Sequence, residues 1–194
     1  MMDLEEMVLR NRSYRRFDAG HRVAMPELEA LVALARCTPS AANRQPLKYV
    51  LSCEQACNAR IFETLKWAAS LPEWPGPDPA ERPSAYIVLL LDTEISKAAD
   101  FDVGIVAQTI LLGAAERGLG GCMLLNVRKE ALAQSLKLPA HLAIALVIAL
   151  GKPVEKIFLE DRRADGAVTY YRDAEQTHHV PKRTLAELIH ARYS

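Results

Sequence analysis

No apolar run in this chain is long enough to cross a membrane. The longest, Val103 to Ala115, is interrupted by Gln108 and Thr109, and a span needs about 20 residues. Charge of one sign is also missing. Lys plus Arg and Asp plus Glu both number 24, which argues against a protein that coats nucleic acid or an anionic membrane surface. Cysteine is scarce: Cys37, Cys53, Cys57 and Cys122 form no paired CxxC pattern, so no structural zinc site is expected. A chain of 194 residues buries roughly 70% of its unfolded surface and needs neither disulfide nor metal to hold a core. The opening Met-Met-Asp-Leu-Glu-Glu is acidic and lacks an apolar signal core, so a reducing, cytoplasmic setting is expected. Gly-x-Ser-x-Gly, His-Glu-x-x-His and Walker loops are absent, so an enzyme built on this chain would draw its chemistry from a cofactor.

Half the residues are hydrophobic and a quarter charged, an ordinary globular composition. Periodicity predicts helices over 3–12, 26–35, 54–70, 101–117 and 129–136, and strands over 48–52, 85–91, 122–126 and 142–150. Gly151-Lys152-Pro153 is expected to stop the last strand. The proline-rich stretch 71–83 is expected to be irregular. Residues 155–177 read as a charged extension with a hairpin around Asp165-Gly166, and Thr184 with Glu187 as the cap of a final helix. Interleaved helices and strands define an α/β or α+β sandwich of one domain over 1–194.

Four segments carry candidate chemistry. Arg10 to Phe17 gathers arginines and Ser13, suited to phosphate oxygens. Pro39-Ser40-Ala41-Ala42-Asn43-Arg44-Gln45-Pro46 combines small residues with Asn43 and Gln45, whose amides match the edge of a planar ring. Gly118-Leu119-Gly120-Gly121 follows a helix and precedes a strand, the reverse of a dinucleotide glycine loop, but its glycines allow close backbone approach. His178 to Arg183 is a basic patch that suits phosphate contact by Lys182 or Arg183 better than metal.

In order and spacing, these segments resemble the FMN-dependent nitroreductase family, and its small-subunit branch in particular. The similarity runs through Arg12 to Phe17, Pro39 to Pro46, Asp102 to Gln108, Gly118 to Cys122, Leu138-Pro139 and Leu150 to Pro153. It implies an α+β fold: a nitroreductase-like sandwich with a central mixed sheet flanked by helices, assembled as an intertwined homodimer, with 71–83 as a variable lid. It implies that Arg12 and Ser13 hold the FMN phosphate and ribityl chain, with Arg15 near the flavin N1 and C2 oxygen. Pro39, Ser40, Ala41, Asn43 and Gln45 would line the cofactor, partly from the partner subunit. Backbone at Gly120 and Gly121 would face N5 and O4, and Lys182 and Arg183 would close the phosphate clamp. The implied activity passes a hydride from NAD(P)H through flavin N5 to a nitroaromatic, quinone or similar small acceptor, with no catalytic side chain, no metal, no nucleic acid and no membrane. A non-enzymatic FMN carrier and a relative with different flavin chemistry, such as reductive dehalogenation, stay open as alternatives.

Overall fold

The computed structural model describes residues 3–193. The chain divides into two compact units. One is the chain up to Trp67 together with Pro75–Val154; the other is Ala68–Trp74 with the chain from Glu155 onward.

The larger unit is built around one long strand. β5 (Leu142–Pro153) pairs along one edge with β3 (Ala85–Asp92), which pairs in turn with β2 (Leu47–Ser52). The other edge of β5 is shared. β4 (Gly120–Leu124) takes Val147 to Gly151, and β1 (Phe17–Asp18) takes Lys152 and Pro153. Every one of these ladders is antiparallel. This corrects the expected mixed sheet: among the described residues, parallel pairing enters this unit only as an isolated bridge between Ser13 and Gly121. The reason is the position of β5. It lies between β3 and β4, so those two strands share a direction without touching, and α4 (Asp100–Glu116) is the crossover between them.

β3 is apolar at nearly every position because both faces are covered. Ala85, Ile87 and Leu89 join Leu146, Ile148 and Leu150 of β5 against Leu28 and Leu31 of α2 (Met25–Ala35) and Ile110 and Ala114 of α4. The alternate residues, Tyr86 and Val88, are buried on the opposite face. There Asn58 of α3 (Gln55–Glu63) donates to the Ser84 carbonyl at 2.8 Å. α5 (Lys129–Ser135) buries Leu132. α1 (Leu4–Arg10) starts at an Asp3 cap that accepts from Glu6 N, and buries none of its residues. No helix among the described residues is long and apolar enough to cross a membrane.

Three boundaries differ from expectation for local reasons. α3 ends at Glu63, well short of residue 70: the Thr64 hydroxyl turns back onto the Ile61 carbonyl at 2.7 Å, and Ala68 is left-handed. β5 runs through Gly151 to Pro153, because β1 pairs there and Phe17 packs where a Gly151 side chain would stand. β4 starts two residues early, at Gly120. In the proline-rich stretch, Pro79–Glu81 forms a 3-10 turn. It is anchored rather than loose: Ala19 N donates to the Ala80 carbonyl, and the Arg16 fork meets both Glu81 oxygens at 2.7 Å.

The smaller unit holds a three-stranded sheet of β6 (Ile157–Asp161), β7 (Tyr171–Arg172) and β8 (His178–Lys182). β6 and β8 are parallel, and β7 joins β8 antiparallel. The turn at Gly166 has a φ of +81° and closes on the Arg163 carbonyl, but the strands on either side of it do not form the expected hairpin. α6 (Leu185–Leu188) begins at Thr184, whose N–H and hydroxyl both donate to Glu187.

Candidate functional site

The predicted site residues gather into three groups. The first follows α1. Tyr14 N donates to the Gly121 carbonyl at 3.0 Å, which lays Arg12 to Tyr14 alongside β4. Gly120 and Gly121 make this approach feasible. A Cβ on Gly120 would stand 2.5 Å from the Tyr14 ring and from Pro153, and one on Gly121 would meet the Ala149 carbonyl oxygen at 2.5 Å. The space before both glycines is therefore filled by the chain itself, and they position the arginine segment.

Arg12 is the electrostatic anomaly of this group. Its Nη2 donates to the Val8 carbonyl at 2.5 Å, while its Nε is buried without an acceptor among the described residues. No described carboxylate lies within ion-pair distance of it. Burial accordingly lowers its pKa. A cation held in this way is an unmet demand for an anion. Arg15 donates to the Ser13 carbonyl at 3.2 Å, which bends the segment back on itself.

The second group is the loop between α2 and β2. Ala42, Asn43 and Gln45 all have left-handed backbones, with φ of 50°, 52° and 50°. Asn tolerates that region; Ala and Gln do so only under constraint. The constraint comes from Asp102 in the first turn of α4, which is buried. Its carboxylate accepts from Ser40 Oγ at 2.5 Å and from Ala41 N at 3.1 Å. Ser40 Oγ also accepts from Gln45 N at 2.9 Å, and Gln45 Nε2 donates to Asn43 Oδ1 at 3.0 Å. Strain held by over-determined bonds concentrates at functional sites. Pro39, Ser40 and Gln45 border a pocket of about 280 Å³ with Lys48 and Tyr49; burial raises the pKa of the Tyr49 hydroxyl. Asp102 was not singled out as a site residue from the sequence. Its signal is an acid in the opening turn of an otherwise apolar helix.

These two groups flank opposite ends of α4. Asp102 anchors the loop, whereas Leu111 packs at Gly121, roughly 13 Å further along the helix axis. The third group, Lys182 and Arg183, belongs to the smaller unit. Both are exposed, and Arg183 lies 3.7 Å from Glu187, which also takes Arg162 at 2.7 Å.

The adjacent histidines of the smaller unit point to different surroundings. His178 is buried, 5.1 Å from the Tyr170 ring. His179 is clamped between Glu160 at 3.0 Å and Asp173 at 2.9 Å. A separate constellation, Asp92, Glu94 and His141, brings potential ligand atoms within 4.8 Å of one another. No sequence spacing announces it, because Asp92 and His141 meet only through the β3–β5 pairing. The four cysteines are all free.

A layered α+β body thus carries an arginine without a carboxylate partner among the described residues and a polar loop in left-handed conformation. The nitroreductase family model matches residues 8–152, and the chain belongs to that family. A curated relative from Archaeoglobus fulgidus, named provisionally as an NADH dehydrogenase/NAD(P)H nitroreductase, is 27% identical over 169 residues, covering 82% of this chain and 91% of the relative. The crystal structure of a nitroreductase family protein from Streptococcus pneumoniae shares the fold with a TM-score of 0.70 at 18% identity, over 84% of this chain and 96% of that one. An FMN-dependent nitroreductase from Clostridium difficile does so with a TM-score of 0.63 at 19% identity, over 77% and 87%.

Proposed function

We propose that the protein is an FMN-dependent oxidoreductase that uses NAD(P)H to reduce a small acceptor. The observation that carries this reading is Arg12. A buried Nε without an acceptor among the described residues, next in sequence to Ser13 and with no described carboxylate at hand, fits a phosphate monoester. FMN, when bound, supplies hydride acceptance from NAD(P)H and its delivery to a nitroaromatic, quinone or similar acceptor. Arg12 and Ser13 bind the phosphate end. Arg15 sets a fixed cation where the reduced ring gathers negative charge. Asn43 and Gln45, held in their left-handed conformations by the Ser40–Asp102 pair, present amides to a ring edge. Gly120 and Gly121 bring the arginine segment against β4. Lys182 and Arg183, exposed in the smaller unit, are basic side chains suited to phosphate contact. No side chain has to act as an essential acid.

The reading includes a homodimer. α4 leaves Phe101 86% and Ile105 42% exposed, and α1 leaves Leu4 66% and Leu9 55% exposed. Helices with apolar outer faces suit a partner subunit, and obligate interfaces bury roughly 2,000–5,000 Å². A second copy also supplies a way to bring an Arg12 segment and a Ser40 loop to one ligand although each chain sets them apart along α4.

The test is the visible absorbance spectrum of the purified protein, with FMN added if it is colourless. Flavin bands that bleach under anaerobic NADH or NADPH are expected. Binding without bleaching by either donor would favour a carrier. No flavin binding by a native dimer would overturn the reading. Sedimentation showing a stable, flavin-loaded monomer would remove its dimeric part.

A further inference from the structure

A pocket of about 270 Å³ opens on the face of the sheet that carries α3. Phe62, Pro79 and Pro83 form its apolar walls, Tyr86 its floor, and Arg22 and Arg82 its rim. None of its lining residues is acidic. The nearby acid, Glu81, is held by Arg16 through two hydrogen bonds. Neither Arg22 nor Arg82 has a carboxylate within 4.0 Å among the described residues.

Tyr86 is 1% exposed, yet its hydroxyl makes no hydrogen bond among the described residues. The hydroxyl is not one of the fully sealed unpartnered atoms, so it can still reach a ligand in the pocket. Burial pushes its pKa up, against the pull of the nearby Arg82 charge, so it stays a donor at physiological pH. The other buried polar side chains at the pocket, Ser84 and Asn58, already have partners: Ser84 Oγ accepts from Val23 N at 3.4 Å, and Asn58 is bonded on both sides of its amide. It donates to the Ser84 carbonyl at 2.8 Å and accepts from Ser52 at 2.7 Å. The Arg82 guanidinium stacks over the Phe62 ring at 4.0 Å. Stacking fixes its plane and leaves its edge N–H groups for a two-oxygen acceptor.

We propose that this pocket is a second ligand site, for a small organic carboxylate. The apolar body lies against Phe62 and the prolines, and the carboxylate accepts from Arg22, Arg82 and the Tyr86 hydroxyl. The volume is just below the range of roughly 300–1,000 Å³ typical of larger ligands, which suits a molecule the size of benzoate. The site stands independently of the flavin reading, since it shares no residue with the candidate cofactor site.

The test is titration calorimetry of the full chain as purified, with benzoate as the probe and benzamide and inorganic phosphate as controls. Benzoate is expected to bind, and more tightly than either control. Arg22→Gln and Arg82→Gln should each weaken it about tenfold or more, and Tyr86→Phe about three- to tenfold. Arg22 is exposed, so its variant tests the site even if a change at Tyr86 disturbs folding; melting curves check each variant. No heat with millimolar benzoate overturns the proposal. So does binding that all three variants leave unchanged, which would place benzoate elsewhere. Phosphate binding as tightly as benzoate would show a generic anion site and also overturn it.

Discussion

The two units of this chain are held by different forces. In the larger one, the interior is aliphatic: Ile87, Leu89, Ile110, Ile148 and Leu150 are almost wholly buried and meet across two layers. In the smaller one, Glu155 and His178 are among the few buried side chains. Arg172 reaches Glu155 at 2.7 Å, with both side chains nearly sealed from solvent, and lies 4.2 Å over the Trp74 ring. The difference teaches how each should fail. An apolar layer loses stability by degrees as volume is removed. A buried ion pair fails abruptly when one partner goes, because the other charge is left without water or counter-charge.

The sharpest way to break this comparison is Glu155→Ala. It strands Arg172 and should cost about 3–5 kcal/mol, read as lost hydrogen-exchange protection in β6 to β8 and a changed Trp74 fluorescence. Amides of β3 and β5 should keep their protection; equal loss in both units would refute the contrast. Next is Ile87→Ala in the aliphatic layer. It should destabilise the larger unit by about 2–5 kcal/mol, measured by urea unfolding, with the smaller sheet less affected at low denaturant. Arg12→Met then asks whether the larger unit tolerates a charge only for the sake of a ligand. Apo stability should hold or rise by about 1 kcal/mol, while FMN affinity, by fluorescence titration, should fall about tenfold or more.

The smallest effect is a pH dependence of the smaller sheet. Asp173 and then Glu160 raise the His179 pKa above its ordinary value of 6.5. Its stabilising share is therefore complete below that value and is lost as pH rises through the raised one. The His179 bond, in turn, is the main cause that lowers the Asp173 pKa from 3.8, so that share is present above 3.8 and lost as pH falls through the lowered value. Melting of β6 to β8 should shift down as pH rises above 6.5 and through the raised His179 pKa, and His179→Gln should flatten that slope.

Much of the larger unit is legible in the sequence. β3 is a continuous apolar run because both its faces are covered, and α4 is apolar on most sides because it packs against the sheet and leaves Phe101 outside. The end of α3 was not legible, because Thr64 and the left-handed Ala68 carry no strong breaker. Nor was the run of β5 through Gly151 to Pro153, since its partner there lies far back in the chain at Phe17. The same holds at the site. Arg12 and Ser13 were visible as chemistry, but only the fold reveals that Arg12 lacks a counter-charge. Asp102 was visible as an acid, but its grip on the Ser40 loop needs two segments folded together.

The long strand β5 has a consequence for synthesis. Its edges receive β1, β3 and β4, all of which precede it. Until Pro153 has left the ribosome, the sheet lacks its central member, and β3 has only β2 as a neighbour. At roughly 5–20 residues per second, the nascent chain carries the oily β3 and α4 segments for several seconds before their template arrives. Between making Ala85 and making Leu150, the apolar edge that β3 will give to β5 therefore stays without its partner strand.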